Sequence, residues 1–275
     1  PSSPVFRGLS TLALAALIIA VLTAAPIVSV WANLFAGGTG DTWSHLVATV
    51  LPEYVLNTLW LCLGVGCGVI VVGVSTAWLV TMHDFPGRRV FAWTLVLPLA
   101  VPAYVMAYTY TDLLQFVGPV QSGLRESFGW QKGDYWFPDV RTLGGAVAMF
   151  ILVLYPYVYL LARTAFLERA SGMLEVGRSL GLGAWGSFFR ISLPLARPAI
   201  AAGATLALME TLADYGTVAY FSVQTFTTGI YRAWFSLGDR AAAAQLSAAL
   251  LGFVVLVLLL AAALLPVVHP DARVP

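Results

Sequence analysis

Glu175-Val176-Gly177, three residues, Gly181, nine residues, then Ile191-Ser192-Leu193-Pro194: the fold turns on this stretch. It lies in a run from 163 to 197 that holds Arg163, Glu168, Arg169, Glu175, Arg178, Arg190 and Arg197. Interleaved with these are the apolar residues Phe166, Leu167, Met173, Leu174, Leu180 and Phe188. The mixture reads as an amphipathic helical hairpin at a membrane surface. Gly181 and Gly183 supply a turn that tolerates positive φ. Pro194 is expected to stop the second short helix before the next apolar run. A short helix with an exposed carboxylate, here Glu175, suits a partner groove that carries a basic residue.

The surroundings of this run are far more apolar than a water-soluble domain allows. Hydrophobic residues make up 60% of the 275 and charged residues only 10%, and mean hydropathy is +0.86. Soluble domains are about a quarter charged. A spanning helix needs about 20 mostly apolar residues, and six stretches qualify: 9–31, 54–82, 90–114, 143–162, 198–215 and 241–268. The reading is an all-α membrane protein of about six transmembrane helices, with 163–197 as a loop between the fourth and fifth. Pro98 and Pro102 predict a kink in the third span rather than two separate helices, and Pro156 the same in the fourth. The first run follows Arg7, but it is too long for a signal-peptide core and further spans follow it. The opening on Pro1 rather than Met predicts an excised or processed segment.

Arginine placement orients the chain. With both termini inside, the cytoplasmic pieces hold Arg7, Arg88, Arg89, Arg163, Arg169, Arg178, Arg190, Arg197 and Arg273; Arg125, Lys132, Arg141, Arg232 and Arg240 lie outside. The tight turn from His83 to Arg89 then belongs to the cytoplasm, and the loop 163–197 with it. The aromatic segment 128–138 reads as a belt at the headgroup level. Gly64, Gly66 and Gly68 lie mid-span without a strand before them, so they read as helix-packing residues rather than a nucleotide loop. Cys62 and Cys67 fall in the same apolar run and read as packing residues. His45, His83 and His269 lie apart and make no metal-ligand cluster. The net charge of +1 gives no case for a nucleic-acid partner.

The spacing first quoted resembles the EAA loop of ABC importer permeases: Glu-Ala-Ala, three residues, Gly, nine residues, Ile-x-Leu-Pro. Val176 and Gly177 replace the two alanines of that pattern. The resemblance covers about 57–260 and implies the type I importer permease fold. It implies a non-catalytic transport subunit whose loop docks on a separate ATP-hydrolysing subunit, with Glu175, Gly177, Gly181, Ile191, Leu193 and Pro194 at the contact. No cofactor is expected in this chain. ATP and Mg belong to the partner, since a phosphate-binding loop needs a lysine and the single lysine, Lys132, is in an outside loop. A periplasmic substrate-binding protein, a second permease unit and the lipid bilayer complete the expected partners, with no nucleic acid, in a bacterial inner membrane.

The end of the fifth span carries Glu210 and Asp214, four apart and therefore expected on one helix face. Acids at membrane depth point to function by default, and oxygen donors suit a hard cation. Capping of loops, or pairing with Arg232 or Arg240, is the structural alternative. Asp112, near the outer end of the third span, is a further acid of the translocation path or of the interface. The segment from Glu210 through Gly229-Ile230-Tyr231-Arg232 to Ala242 is similar to ferric-iron importer permeases, in which two six-span units are fused. That likeness makes this chain the N-terminal unit, with 269–275 opening the linker. Permeases for thiamine, polyamines or 2-aminoethylphosphonate share the loop. A membrane-embedded enzyme would use Glu210, Asp214 or Asp112 as acid and base, but it lacks a histidine or metal ligands at that depth. A secondary transporter would show an inverted repeat, and none is found.

Overall fold

The structure, a computed structural model, describes residues 11–32, 48–179 and 181–264; the side chains of 169–179 and 264 lie outside the described set. Among the described residues every regular element is helical. α1 (Thr11–Ala32), α2 (Leu51–Met82) and α3 (Arg88–Thr94) come first, then a 3-10 turn at Leu97–Ala100. α4 (Ala103–Leu114), α5 (Pro119–Phe128) and the long α6 (Leu143–Ser179) follow. α7 (Ala184–Ser187) leads through a wide π turn at Phe188–Ser192 into α8 (Leu193–Ala213). Two short helices, α9 (Gly216–Tyr220) and α10 (Phe226–Tyr231), precede α11 (Arg240–Leu264). Among the described residues five helical stretches are long and apolar enough to cross a membrane, or up to six if the bent segment 88–128 counts as one span.

Three expectations change. The third span is broken, not kinked: the chain turns by 101° between Arg88–Ala100 and Ala103–Phe128. Pro102 forces Val101 into extended backbone, φ −117° and ψ 128°, so the helix cannot continue through it. The helix of the fourth span does not stop near 162: α6 runs on to Ser179, with Pro156 inside it. Pro194 does not stop a helix. It sits in the first turn of α8, where a missing N–H costs no intrahelical bond.

In lipid, apolar burial between helices gains little, so close backbone approach and shape carry the packing. α2, α6 and α8 make the centre, with Leu61, Val65, Val69, Phe150, Val158 and Ala207 buried among them. Glycines set the approach. Gly64 lies against Val147 and Gly68 against Ile151, both on α6, while Gly66 faces Leu208 of α8. α1 has no buried residue and leans on α11, as an all-round apolar helix does in a membrane. In the aromatic segment, Trp130 stacks between Phe128 (4.7 Å) and Tyr135 (5.4 Å), and Trp136 is left 85% exposed.

Candidate functional site

The Gly181 turn is built on the end of α6. Gly181 has φ +80°, the left-handed region that closes a helix C-terminus and that other residues enter at a cost. Gly183 is extended and opens the single turn of α7. Ile191 and Leu193 are half-buried, with Leu193 packed on the central cluster, and the Ser192 side chain is buried. Glu175 and Gly177 fall on the last turns of α6, where side chains lie outside the described residues.

An aromatic wedge ties this turn to the bundle. The Phe188 ring lies 4.8 Å from Trp78 of α2, and Trp78 meets Phe166 of α6 edge-on at 5.6 Å. Beyond the wedge, Trp185 and Phe189 stack at 6.1 Å and remain 72% and 59% exposed. Two adjacent exposed aromatics at a helical tip form a contact surface of the kind protein partners use. The sequence reading missed them. Their signal was present, since they fall between Gly183 and Ile191, where a solvated loop would be polar.

At the opposite end of α8 the acids are arranged otherwise than expected. Asp214 is past the helix, in extended backbone (φ −74°, ψ 129°), so it does not share a helical face with Glu210. Its carboxylate accepts from the Thr217 N–H at 2.7 Å and the Thr217 hydroxyl at 3.1 Å. Its carbonyl accepts from the Thr227 hydroxyl at 3.0 Å. Asp214 therefore caps α9 and pins the loop before α10. Glu210 is exposed on α8. Among the described residues no ion pair joins either acid to Arg232 or Arg240. Arg240 instead lies over the Trp234 ring, 5.6 Å from its centroid. Asp112 is exposed on α4 and accepts from the Gln115 side chain at 3.1 Å, sharing no hydrogen bond or cavity with Glu210 or Asp214. Among the described residues no three His, Cys, Asp or Glu side chains are grouped to hold a metal ion.

The same end holds a polar cavity of about 460 Å³ that the sequence reading did not find. Tyr215 and Tyr231, stacked on each other 3.7 Å apart and 11° from parallel, form part of its wall. Ser222, Gln224, Thr228 and Arg232 also line it. The Gln224 side-chain oxygen is buried without a hydrogen-bond partner, while its backbone carbonyl accepts from Asn57 of α2 at 2.9 Å.

The Fe(3+)-transport system permease protein FbpB 2 of Haemophilus influenzae is 28% identical over 208 residues, which cover 75% of this chain and 36% of that protein. The chain thus spans about a third of that relative's length. The molybdenum transport system permease protein ModB of Escherichia coli is 30% identical over 181 residues, 63% of this chain and 76% of that one. Among solved structures, a bacterial alginate ABC transporter in complex with alginate-bound periplasmic protein superposes with a TM-score of 0.70 at 17% identity, covering 90% of both chains; this is a likeness of fold. A family model matches residues 69–273, and the chain belongs to the family of binding-protein-dependent transport system inner membrane components.

Proposed function

We propose that the chain is the membrane-spanning permease unit of an ABC importer, working with a separate ATP-hydrolysing subunit, a periplasmic binding protein and a second permease unit. The observation that carries this reading is the Gly181 turn. It joins α6 to α8, two of the three central helices, and presents Trp185 and Phe189 to a partner while Phe188 locks it to the bundle. A partner that closes on ATP and Mg binding would move this turn, and both helices with it, as one hinged body. Glu175, Gly177, Gly181, Ile191, Leu193 and Pro194 are the residues of that contact. The turn faces the cytoplasm and both termini are inside, in keeping with the nine arginines on that side. That the ferric relative is almost three times longer than the matched region supports a second unit, fused or separate.

Glu175→Arg tests the reading. It is expected to abolish uptake and to weaken recovery of the ATPase subunit in pull-downs; normal uptake would sink it.

For the cargo we propose ferric iron, on the ferric relative and on Glu210, the acid of this region that no cap consumes. A second reading, an oxyanion, has its own observation: the cavity beside Arg232 offers hydroxyls and a guanidinium, and the molybdenum relative matches too. Labelled ferric iron and molybdate given to cells carrying the whole transporter separate the two.

A further inference from the structure

A second cavity, of about 570 Å³, opens between the turn 83–87 and α6. Its walls carry Arg88, Arg89 and Arg163 against a single carboxylate, Asp84. The arginines are not equivalent. Arg88 is spent on structure: its side chain donates to the Val80 carbonyl at 2.6 Å and the Thr81 carbonyl at 3.2 Å and pairs with Asp84. Those bonds hold the turn against the end of α2. The floor is equally fixed, because the Tyr159 hydroxyl of α6 donates to the Ala92 carbonyl of α3 at 3.0 Å. Among the described residues Arg89 and Arg163 have no carboxylate partner. Two guanidinium groups thus line this space with no carboxylate partner of their own among the described residues.

The depth of the cavity says which anion. It lies where α2 ends and α3 begins, while α6 continues from Arg163 to Ser179, roughly 24 Å further at the helical rise. The turn 83–87 is therefore at the membrane boundary, and only the α6 tip projects beyond it. The surface beside the arginines is apolar: Val90, Phe91 and Leu167 are 64%, 51% and 47% exposed. A charged recess next to a greasy wall matches a phosphate group whose acyl chains stay in lipid. Planar guanidinium groups bind phosphate oxygens in pairs, and basic pockets between spanning helices take anionic head groups on the cytoplasmic side.

We propose that this cavity binds the phosphate of an anionic phospholipid through Arg89 and Arg163, with Arg88 as the positioning residue that shapes it. The proposal does not depend on which cargo is carried.

The test is lipid retention by the whole transporter purified in detergent, read by native mass spectrometry after titration with phosphatidylglycerol, phosphatidylcholine or inorganic phosphate. Phosphatidylglycerol is expected to be held over phosphatidylcholine, and each of Arg89→Gln and Arg163→Gln to weaken it by about fivefold. Arg89→Lys, which keeps the charge but not the planar fork, is expected to bind between wild type and Arg89→Gln. Arg89 is exposed, so Arg89→Gln remains readable if Arg163→Gln fails to assemble. Unchanged lipid retention in Arg89→Gln would overturn the site. So would inorganic phosphate competing as well as the lipid, which would make the ligand a free anion. Loss of the ATPase subunit in place of lipid would make the recess a protein contact, and would also overturn it.

Discussion

Gly73 of α2 and Gly203 of α8 both close on the α6 backbone at Val158. A Cβ built on Gly73 would stand 2.7 Å from the Val158 Cβ and 2.9 Å from the Tyr155 carbonyl oxygen; one on Gly203 would stand 2.7 Å from the Val158 Cα and 2.9 Å from the Tyr157 carbonyl oxygen. The three central helices are clamped at one height, two turns above Phe166 and close to Pro156. Backbone cannot swing aside as a side-chain end can.

Gly203→Ala should therefore lower stability by about 1–3 kcal/mol, the usual range for overpacking, and Gly73→Ala by a similar amount. Gly68→Ala is the internal control. Its new Cβ meets the Ile151 side chain rather than backbone, and should cost less. Thermal unfolding of the purified transporter in detergent ranks the three; equal effects would show that helix spacing at Val158 is soft.

Gly181→Val tests the turn itself. A β-branched residue at φ +80° carries a penalty of about 1–2 kcal/mol, placed outside the packed bundle. Membrane-inserted protein should stay near wild-type level while uptake falls. Loss of the protein altogether would place Gly181 in the folding of the bundle rather than in contact with a partner.

The aromatic tip gives a sharper result. Trp185→Ala with Phe189→Ala removes two exposed rings that touch little of this chain beyond Phe188 and each other. Co-purification of the ATPase subunit should fall about tenfold or more if they are anchors of that interface. Phe188→Ala should act differently, by loosening the contact with Trp78 and lowering thermal stability.

The two acids at the far end of α8 should separate. Asp214→Asn keeps an acceptor for the Thr217 N–H and should leave uptake close to wild type, whereas Asp214→Ala removes the cap at a cost of about 1 kcal/mol. Glu210→Gln should reduce ferric uptake with no change in stability. Normal ferric uptake in Glu210→Gln would make Glu210 a structural residue rather than part of the path.

What the sequence made legible followed its strongest periodicities. Apolar runs located α1, α2, α6, α8 and α11 to within a few residues at most ends, because a bilayer demands a length that composition reports directly. The spacing from Glu175 to Pro194 located the loop. What was hidden depended on contacts between distant residues. Nothing local says that Phe188 would find Trp78, or that Arg163 would share a recess with Arg89. Proline was the other source of error. Pro102 and Pro194 have the same chemistry, yet one breaks a helix and the other begins one, and the difference is set by whether the preceding backbone is extended or already helical. Asp214 was read as the second acid of a helical face because the span was carried to 215, two residues past the end of α8 at Ala213.

The length of α6 has a last consequence. From Leu143 to Ser179 it is one rod of roughly 55 Å, with one end at the membrane's far side and the other at the Gly181 turn. A rod does not store a push; it transmits it. About a pivot at Val158, roughly 22 Å from Leu143, each degree of tilt sweeps the far end by roughly 0.4 Å, so several degrees imposed at the tip would move the opposite mouth by about the width of a water molecule. Gly73 and Gly203 grip this rod near its middle, and so act as its fulcrum.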